Sequence, residues 1–405
     1  MNSGWEKVKL EDILLVPSRN GLTKPSAIRG KGVKMIAMGE LFAHPIICDI
    51  EMDRVPVTDK ELLSSNVEVN DLLFARQSLT LEGAGKCSIV KEVKEPTVFE
   101  SHLIRLRINS NLADPWYVYY YFNSYYGKHS IQNIVNQVAA AGIKGSDLVK
   151  LEIPLPSLEE QKRISSVLFN YDEKISANKK ICCNLESQIK SIYKYWFKDF
   201  EPFKNQEFTD TEFGKIPSGW KLGTLIDILE NVKVTTKQGD NPELPYLPID
   251  SIPMKSFLVN DVKDNSEAQS SLILFKKYDI LVGAMRVYFH RVIPAPFDGI
   301  TRSTCFVLRP KVKDYYSFAL CSVNSNQAIL HAQKTSKGST MPYAVWDGGL
   351  GAFNIVIPPE TVAREFDYLI KKYIEIIQYS YFENQKLTSL RDTLLPKLMS
   401  GEIKV

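Results

Sequence analysis

Few residues in this 405-residue sequence are spaced to do chemistry, and each near-motif fails at a position the chemistry needs. Gly83-Ala-Gly85-Lys86 has the ending of a phosphate-cradling loop, in which backbone N–H groups wrap phosphate oxygens and a lysine reaches them. That loop also requires glycine at 80 and a hydroxyl at 87, where this chain has Thr80 and Cys87. Glu92-Val-Lys94 with Asp71 can be drawn as an acidic nuclease centre, but Glu-x-Lys arises in any lysine-rich strand, so a solvated strand edge is the expectation. His44, His102, His129, His290 and His331 never stand four apart around a carboxylate, so no helical zinc site is indicated. Cys48, Cys87, Cys182, Cys183, Cys305 and Cys321 are scattered, without a metal-spaced pair, which suits free thiols in a reducing compartment.

Asp114-Pro115-Trp116-Tyr117 is similar to the Asp-Pro-Pro-Tyr loop with which amino-methyltransferases hold a target amine. It lacks the second proline, and no glycine-rich strand-to-helix turn precedes it. A helix start, with Asp as N-cap and Pro at the first position, explains the same residues without catalysis. No catalytic and no metal-binding residue is therefore assigned. Fifty Lys plus Arg against forty-seven Asp plus Glu leave a formal charge of +3, so any nucleic-acid role rests on local patches. The start, Met1-Asn-Ser-Gly-Trp-Glu-Lys7, has no basic lead and apolar run, and no apolar stretch approaches the roughly 20 residues that span a bilayer, so a soluble, cytoplasmic chain without a membrane partner is expected.

The elements that would position any site come from an internal repeat. Gly4-Trp5 and Leu10–Leu14 recur as Gly219-Trp220 and Leu225–Leu229. Asn70-Asp71-Leu-Leu-Phe-Ala-Arg76 matches Tyr278-Asp279-Ile-Leu-Val-Gly-Ala-Met-Arg286, each reading as a turn into a buried strand. Ile153-Pro-Leu-Pro156 matches Ile355-Val-Ile-Pro358, and a long helical pattern follows each. Ile164, Leu168, Tyr171, Ile175, Leu185 and Ile192 step by threes and fours along the first pattern; Phe366, Ile370, Tyr373, Ile377, Leu387 and Leu394 do so along the second. Each set is the apolar seam of a coiled coil. Asn178 and Ser380 are polar at one shared seam position, and Arg391 is the clearest exception. Ser157-Leu-Glu-Glu160 is a capping box that starts the first helix. The intervening regions, rich in Val, Ile, Tyr, Phe and Thr, read as mixed α+β domains; each carries one short helix, Pro115–Asn123 and its counterpart around Tyr315–Cys321. The fold class is thus α+β: two mixed domains separated by a long antiparallel two-helix coiled coil, with an internal pseudo-twofold repeat.

Two domains on a rigid spacer, without catalytic groups, suit a reader of two separated features on one extended partner, and duplex DNA is such a partner. The seam spans roughly 50 Å at 1.5 Å per residue, which sets two reading heads roughly 13 to 15 base pairs apart. Ile153-Pro-Leu-Pro-Ser-Leu-Glu-Glu-Gln161-Lys-Arg-Ile, Trp196-Phe-Lys-Asp-Phe-Glu-Pro-Phe203, Gly214-Lys-Ile-Pro-Ser-Gly-Trp220 and Leu394-Leu-Pro-Lys-Leu-Met-Ser-Gly-Glu-Ile403 occur in an order and spacing that resembles the specificity subunit of type I restriction-modification enzymes. The resemblance covers nearly the whole chain. It implies target-recognition domains over residues 1–156 and 201–358, and spacer helices over 157–200 and 359–405. It further implies a non-catalytic subunit that binds a bipartite, asymmetric target in double-stranded DNA. Two methyltransferase subunits would dock on it, and restriction/translocase subunits would join the full complex. S-adenosylmethionine, ATP and Mg are expected in those partners, and no cofactor in this chain.

Candidate DNA contacts are Arg, Lys and Gln beside Gly, Ser or Thr in loops, where side chains reach bases and amides reach phosphates. They are Arg29, Lys31, Arg76, Gln77 and Lys144 in the first domain, and Lys237, Gln238, Arg286, Arg302, Lys334 and Lys337 in the second. Tyr343, Trp346 and Asp347 follow the last loop as a groove wall, and Glu159, Glu160 and Gln161 with the polar helix faces are a candidate docking surface. The alternatives are a fused or stand-alone restriction nuclease or methyltransferase, and a coiled-coil scaffold that binds no DNA.

Overall fold

The computed structural model describes residues 4–137, 141–259, 261–269 and 271–405. Contacts divide the chain into two compact units, Met1–Glu173 with Leu387–Val405, and Lys174–Lys386. The division falls inside both long helices, Leu158–Phe197 and Glu360–Met399, so each unit holds a stretch of both.

In the first unit a five-stranded sheet runs in the order Leu14–Asn20, Leu103–Ile108, Leu72–Ala75, Cys87–Val90, Ile46–Ile47, antiparallel except at the last pair. Leu72–Ala75 and Cys87–Val90 are buried at every residue, as expected of short apolar runs covered on both faces. Helix Pro115–Asn123 packs on the sheet through Tyr117, Val118 and Phe122, the last edge-on to Phe74 with centroids 5.2 Å apart. Its start is the N-cap the sequence suggested: Asp114 accepts the Tyr117 N–H at 3.1 Å, with Pro115 at the first position. Glu6–Lys9 pairs antiparallel with Glu152–Leu155, placing the strand that leads into the first long helix at the base of the unit.

The second unit repeats this core. Its four-stranded sheet runs Leu229–Asn231, Cys305–Pro310, Ile280–Gly283, Val292–Pro294, and helix Tyr316–Val323 packs on it with all eight residues buried. Lys221–Thr224 pairs antiparallel with Asn354–Ile357 in the same basal role. The two turns aligned in sequence are the same structure. Asn70 (φ 73) and Tyr278 (φ 71) both take the left-handed region, and Asp71 and Asp279 each accept a backbone N–H from three residues back, Glu68 at 2.8 Å and Lys276 at 2.7 Å. Each aspartate then receives a guanidinium fork from the neighbouring strand. Arg107 reaches Asp71 at 2.7 and 2.8 Å, and Arg309 reaches Asp279 at 2.7 Å twice. A buried carboxylate would be costly alone; the fork and the amide satisfy it in both units.

The long helices pair antiparallel within each unit. In the second, Asn178 Nδ2 donates to Asn384 Oδ1 at 2.9 Å, while Phe197 meets Phe366 with centroids 4.7 Å apart. In the first, Leu168 shares a core with Leu398, and Arg391 donates to Asp172 at 2.5 Å. Of the seam residues, Ile164, Leu168, Ile175, Phe366, Ile370 and Ile377 are buried, and Tyr171, Leu185, Ile192, Tyr373, Leu387 and Leu394 are half-buried. The stripe is wider than an a/d seam, because Tyr193, Phe197 and Ile374 are buried as well. Helix Tyr316–Val323 supplies the reason: Phe318 stacks edge-on to Phe197 at 4.8 Å, and Ser322 bonds the Tyr193 hydroxyl at 3.0 Å. Each long helix therefore packs on its partner and on the adjoining domain. Asn178 is matched across the pair by Asn384 and not by Ser380, whose hydroxyl donates to its own helix at Ile376. Arg391 is no defect in the seam, since Asp172 holds it and also accepts the Tyr120 hydroxyl at 2.7 Å.

Candidate nucleic-acid interface

In the first unit, Gln77–Ser78, Ala141–Gly142 and Asn136–Gln137 form a small antiparallel sheet, with Gln77 opposite Gly142. The Arg76 N–H donates to the His102 carbonyl at 2.7 Å, and its own carbonyl accepts the Ile143 N–H at 2.9 Å. This brings Arg76, Gln77 and Lys144 together, with Gln77 and Lys144 exposed and Arg76 half-buried. Arg29 and Lys31 lie apart on the 21–33 connection. Arg29 is ion-paired to Asp53 at 3.1 Å with Glu100 at 4.0 Å, so carboxylates already balance its charge; Lys31 is exposed.

The same framework recurs in the second unit. The Ala284 N–H donates to Thr304 O at 2.8 Å, the Ala344 N–H donates to Ala284 O at 2.9 Å, and Met285 and Lys337 both bridge to Tyr343. The structural counterpart of Arg76 is thus Ala284, two residues before the Arg286 that the sequence match placed there. Arg286 instead sits just beyond, in the left-handed region (φ 47), its N–H held by Pro342 O at 2.8 Å. Arg286 and Lys337 are brought onto one ledge by this arrangement. Beside it lies a groove of about 520 Å³ lined by Asn231, Lys233, Ser303, Thr304, Lys337 and Tyr343, with Trp346 and Asp347 in its wall.

Arg302 and Lys237 share a different edge. Thr236, Leu272 and Arg302 form one row across the sheet Thr235–Thr236, Leu272–Phe275, Gly299–Arg302, and Lys237 follows Thr236. Gln238 spends its amide on the Ser266 carbonyl at 3.1 Å, and Lys334 ends helix Asn326–Lys334, exposed. Sequence reasoning missed Lys233, Ser303 and Thr304 in the groove; the only signal was their place at the ends of strands that pair with Ile280–Gly283 and its neighbours.

Several near-motifs now have plain explanations. Lys86 donates to the Phe42 carbonyl at 2.9 Å and lies 4.9 Å from that ring; burial, then the Lys128 charge, lowers its pKa. Asp71 is committed to Arg107, and residues 91–93 form no strand, contrary to the expected strand edge at Glu92. Gln161 is buried, bridging the Asp114 N–H and the Pro156 carbonyl at 2.8 Å each, so it is no docking residue; Glu160 is half-buried and Glu159 exposed. Burial pushes the Cys305 thiol up to about 11 and raises Cys87 and Cys321 too, so these sulfurs stay protonated at neutral pH. Among the described residues no group of three His, Cys, Asp or Glu is placed to hold a metal ion. The assembled groups are hydrogen-bond donors, acceptors and cations on loops, which suit phosphate and base-edge contacts.

Comparison with known proteins agrees with this architecture. Residues 2–187 match the family model of the type I restriction modification DNA specificity domain. The type I restriction enzyme MjaIX specificity subunit of Methanocaldococcus jannaschii is 29% identical over 424 residues, covering 99% of this chain and 94% of the relative. The MjaVIII specificity subunit of that organism is 23% identical, covering 99% and 93%. The crystal structure of a type I restriction-modification S subunit from M. genitalium superposes with a TM-score of 0.61 at 14% identity, covering 98% of this chain and 96% of that one, a likeness of fold. The matched specificity domain and the relatives aligned over nearly the whole chain make this chain similar to the specificity subunits of type I restriction-modification enzymes.

Proposed function

We propose that this chain is the non-catalytic DNA-recognition subunit of a type I restriction-modification complex, reading a bipartite, asymmetric duplex target. The observation that carries the reading is the duplicated loop framework: in both units, a sheet-and-helix core presents hydrogen-bonding and cationic residues at the same two connections, around Arg76–Ile143 and Ala284–Ala344. The target-recognition domains span residues 1–156 and 201–358, and the helical regions 157–200 and 359–405 space them. Arg76, Gln77 and Lys144 serve the first half-site, and Arg286, Lys337, Arg302 and Lys237 the second; Arg29, Lys31, Gln238 and Lys334 contribute at the margins. Two methyltransferase subunits dock on the helices and bring S-adenosylmethionine, while restriction/translocase subunits bring ATP and Mg. Extrusion of an adenine in each half-site lets the partner's pocket reach it. Among the described residues no helix is long and apolar enough to cross a membrane, and the complex acts in the cytoplasm.

Methylation mapping of host DNA with and without this chain tests the proposal. Methylated adenines should disappear at one split motif whose halves lie roughly 13 to 15 base pairs apart, centre to centre. Purified chain that methylates or cuts DNA without partners would sink the non-catalytic reading. Unchanged DNA binding by the complex after Arg76→Ala and Gln77→Ala would favour a scaffold.

A further inference from the structure

Among the large apolar side chains of the described residues, Leu79 is the most exposed, at 101% of its reference surface. It stands at the tip of the turn that follows Gln77–Ser78, beside the groups assigned to the first half-site. The turn is held by its own bonds. The Thr80 N–H donates to Ser78 Oγ at 3.1 Å, the Gly83 N–H to Thr80 Oγ1 at 3.2 Å, and the Gly85 N–H to the Ala75 carbonyl at 2.8 Å. A Cβ on Gly83 would come within 2.1 Å of Ser78 Oγ and 3.2 Å of the Phe42 ring, so the base of the turn is closely packed. Leu79 is thus held out in water by an ordered turn, where its side chain gains nothing from burial.

We propose that Leu79 is a wedge that inserts at a base step of the bound duplex, so that the first half-site is read partly through DNA deformation. The proposal rests on the reading that this loop faces DNA. Apolar residues flanked by hydrogen-bonding groups unstack a step and bend the duplex, exposing more of it to the polar groups alongside. Gln77, exposed, stands two residues before Leu79 on the same connection, and Lys144 lies further back, beyond the Gly142 that pairs with Gln77. The second unit supports the assignment independently: beyond Ala284 and Met285, the same connection carries Tyr288, 41% exposed, next to Arg286. A flat protein partner would match the apolar tip but would leave the exposed Gln77 amide beside it without a purpose.

The test uses the full chain assembled with its methyltransferase subunits, and duplex carrying its mapped target, labelled at both ends for energy transfer. Wild-type complex should bend the duplex. Leu79→Ala should abolish most of that bend and weaken binding about tenfold, while a mismatch at the contacted step should restore affinity to within about threefold. Leu79→Phe should keep the bend. If Leu79→Ala bends DNA like wild type while Arg76→Ala with Gln77→Ala loses binding, the wedge is wrong and the DNA-facing loop stands. If that double substitution also leaves binding unchanged, the underlying reading fails. A Leu79→Ala chain that no longer assembles with the methyltransferase would make the tip a protein contact and overturn the wedge.

Discussion

The two units are alike in their buried cores and anchors and unlike in the loops proposed to read DNA. Asp71 and Asp279 make the same bonds to the same kinds of partner, down to the left-handed residue before each. Tyr117 and Tyr315 each donate to the carbonyl of a proline just before a long helix, Pro154 and Pro358, both at 2.8 Å. One strand further, the likeness ends: Ala284 takes the place of Arg76 and Met285 that of Gln77, and an exposed leucine stands where the other unit has a short 3-10 turn. Core and anchor are constrained by burial, because an unpaired carboxylate or carbonyl there has no water to turn to. Loop tips face solvent and are free to differ, which is what a pair of readers for an asymmetric target requires.

Replacing residues 1–156 with the corresponding domain of another specificity subunit is the largest test of that contrast. One half of the methylated motif should change completely and the other stay the same, as mapped by sequencing of modified DNA. A change in both halves would break the independence of the two units.

Cutting the shared anchor should act on stability and not on sequence choice. Arg107→Ala leaves Asp71, fully buried, without its fork, and should cost about 3–5 kcal/mol in the first unit. Arg309→Ala should cost less, because that guanidinium side chain is 34% exposed where Arg107 is 13%. Hydrogen exchange of strands Leu72–Ala75 and Ile280–Gly283 separates the two losses.

At the divergent position, Arg76→Ala should weaken DNA binding by about 1–3 kcal/mol and relax one base preference in one half-site. Ala284→Arg in the second unit tests whether the framework alone confers reading: a changed preference in the other half-site would show that the loop position, and not the surrounding loop, decides. Lys337→Ala, if it contacts phosphate, should lower affinity evenly across sequences and reduce the salt slope by about 1, as read by binding titrations at several salt concentrations.

The smallest effect concerns His290, which is buried in the second unit. Burial lowers its pKa, although Asn324 bonds its Nε2 at 2.8 Å. The folded state then resists a proton that the unfolded chain accepts near 6.5, so stability falls as pH drops below that value. The melting temperature of the second unit should decline between pH 7 and 5.5, and His290→Gln should flatten that slope.

Much of the fold was legible because burial writes periodic patterns. The apolar steps along both helices, the Asp-started strands and the Asp114-Pro115 helix start all reflect local rules that hold wherever the segment packs. The candidate interface was less legible. The matched turns suggested Arg286 as the partner of Arg76, but an arginine in a left-handed backbone beyond the strand end cannot be told by sequence from one inside it. Gln161 looked like a surface residue in a charged run, and only the carbonyl of Pro156 and the amide of Asp114 converging on it show why it is buried. Arg391 interrupted the seam in sequence because its partner, Asp172, lies on the other helix.

By itself the sequence determined a two-part chain with duplicated cores and two long helices, since these follow from spacing along the chain. Tertiary structure alone decided which polar residues support the fold and which face outward. Arg107 and Arg76 are both loop-flanking arginines in the sequence, yet one closes a buried carboxylate and the other borders an exposed sheet. The reason is physical: a charged side chain is assigned by the partner within about 3 Å of it, and that partner is set by chain segments tens of residues away.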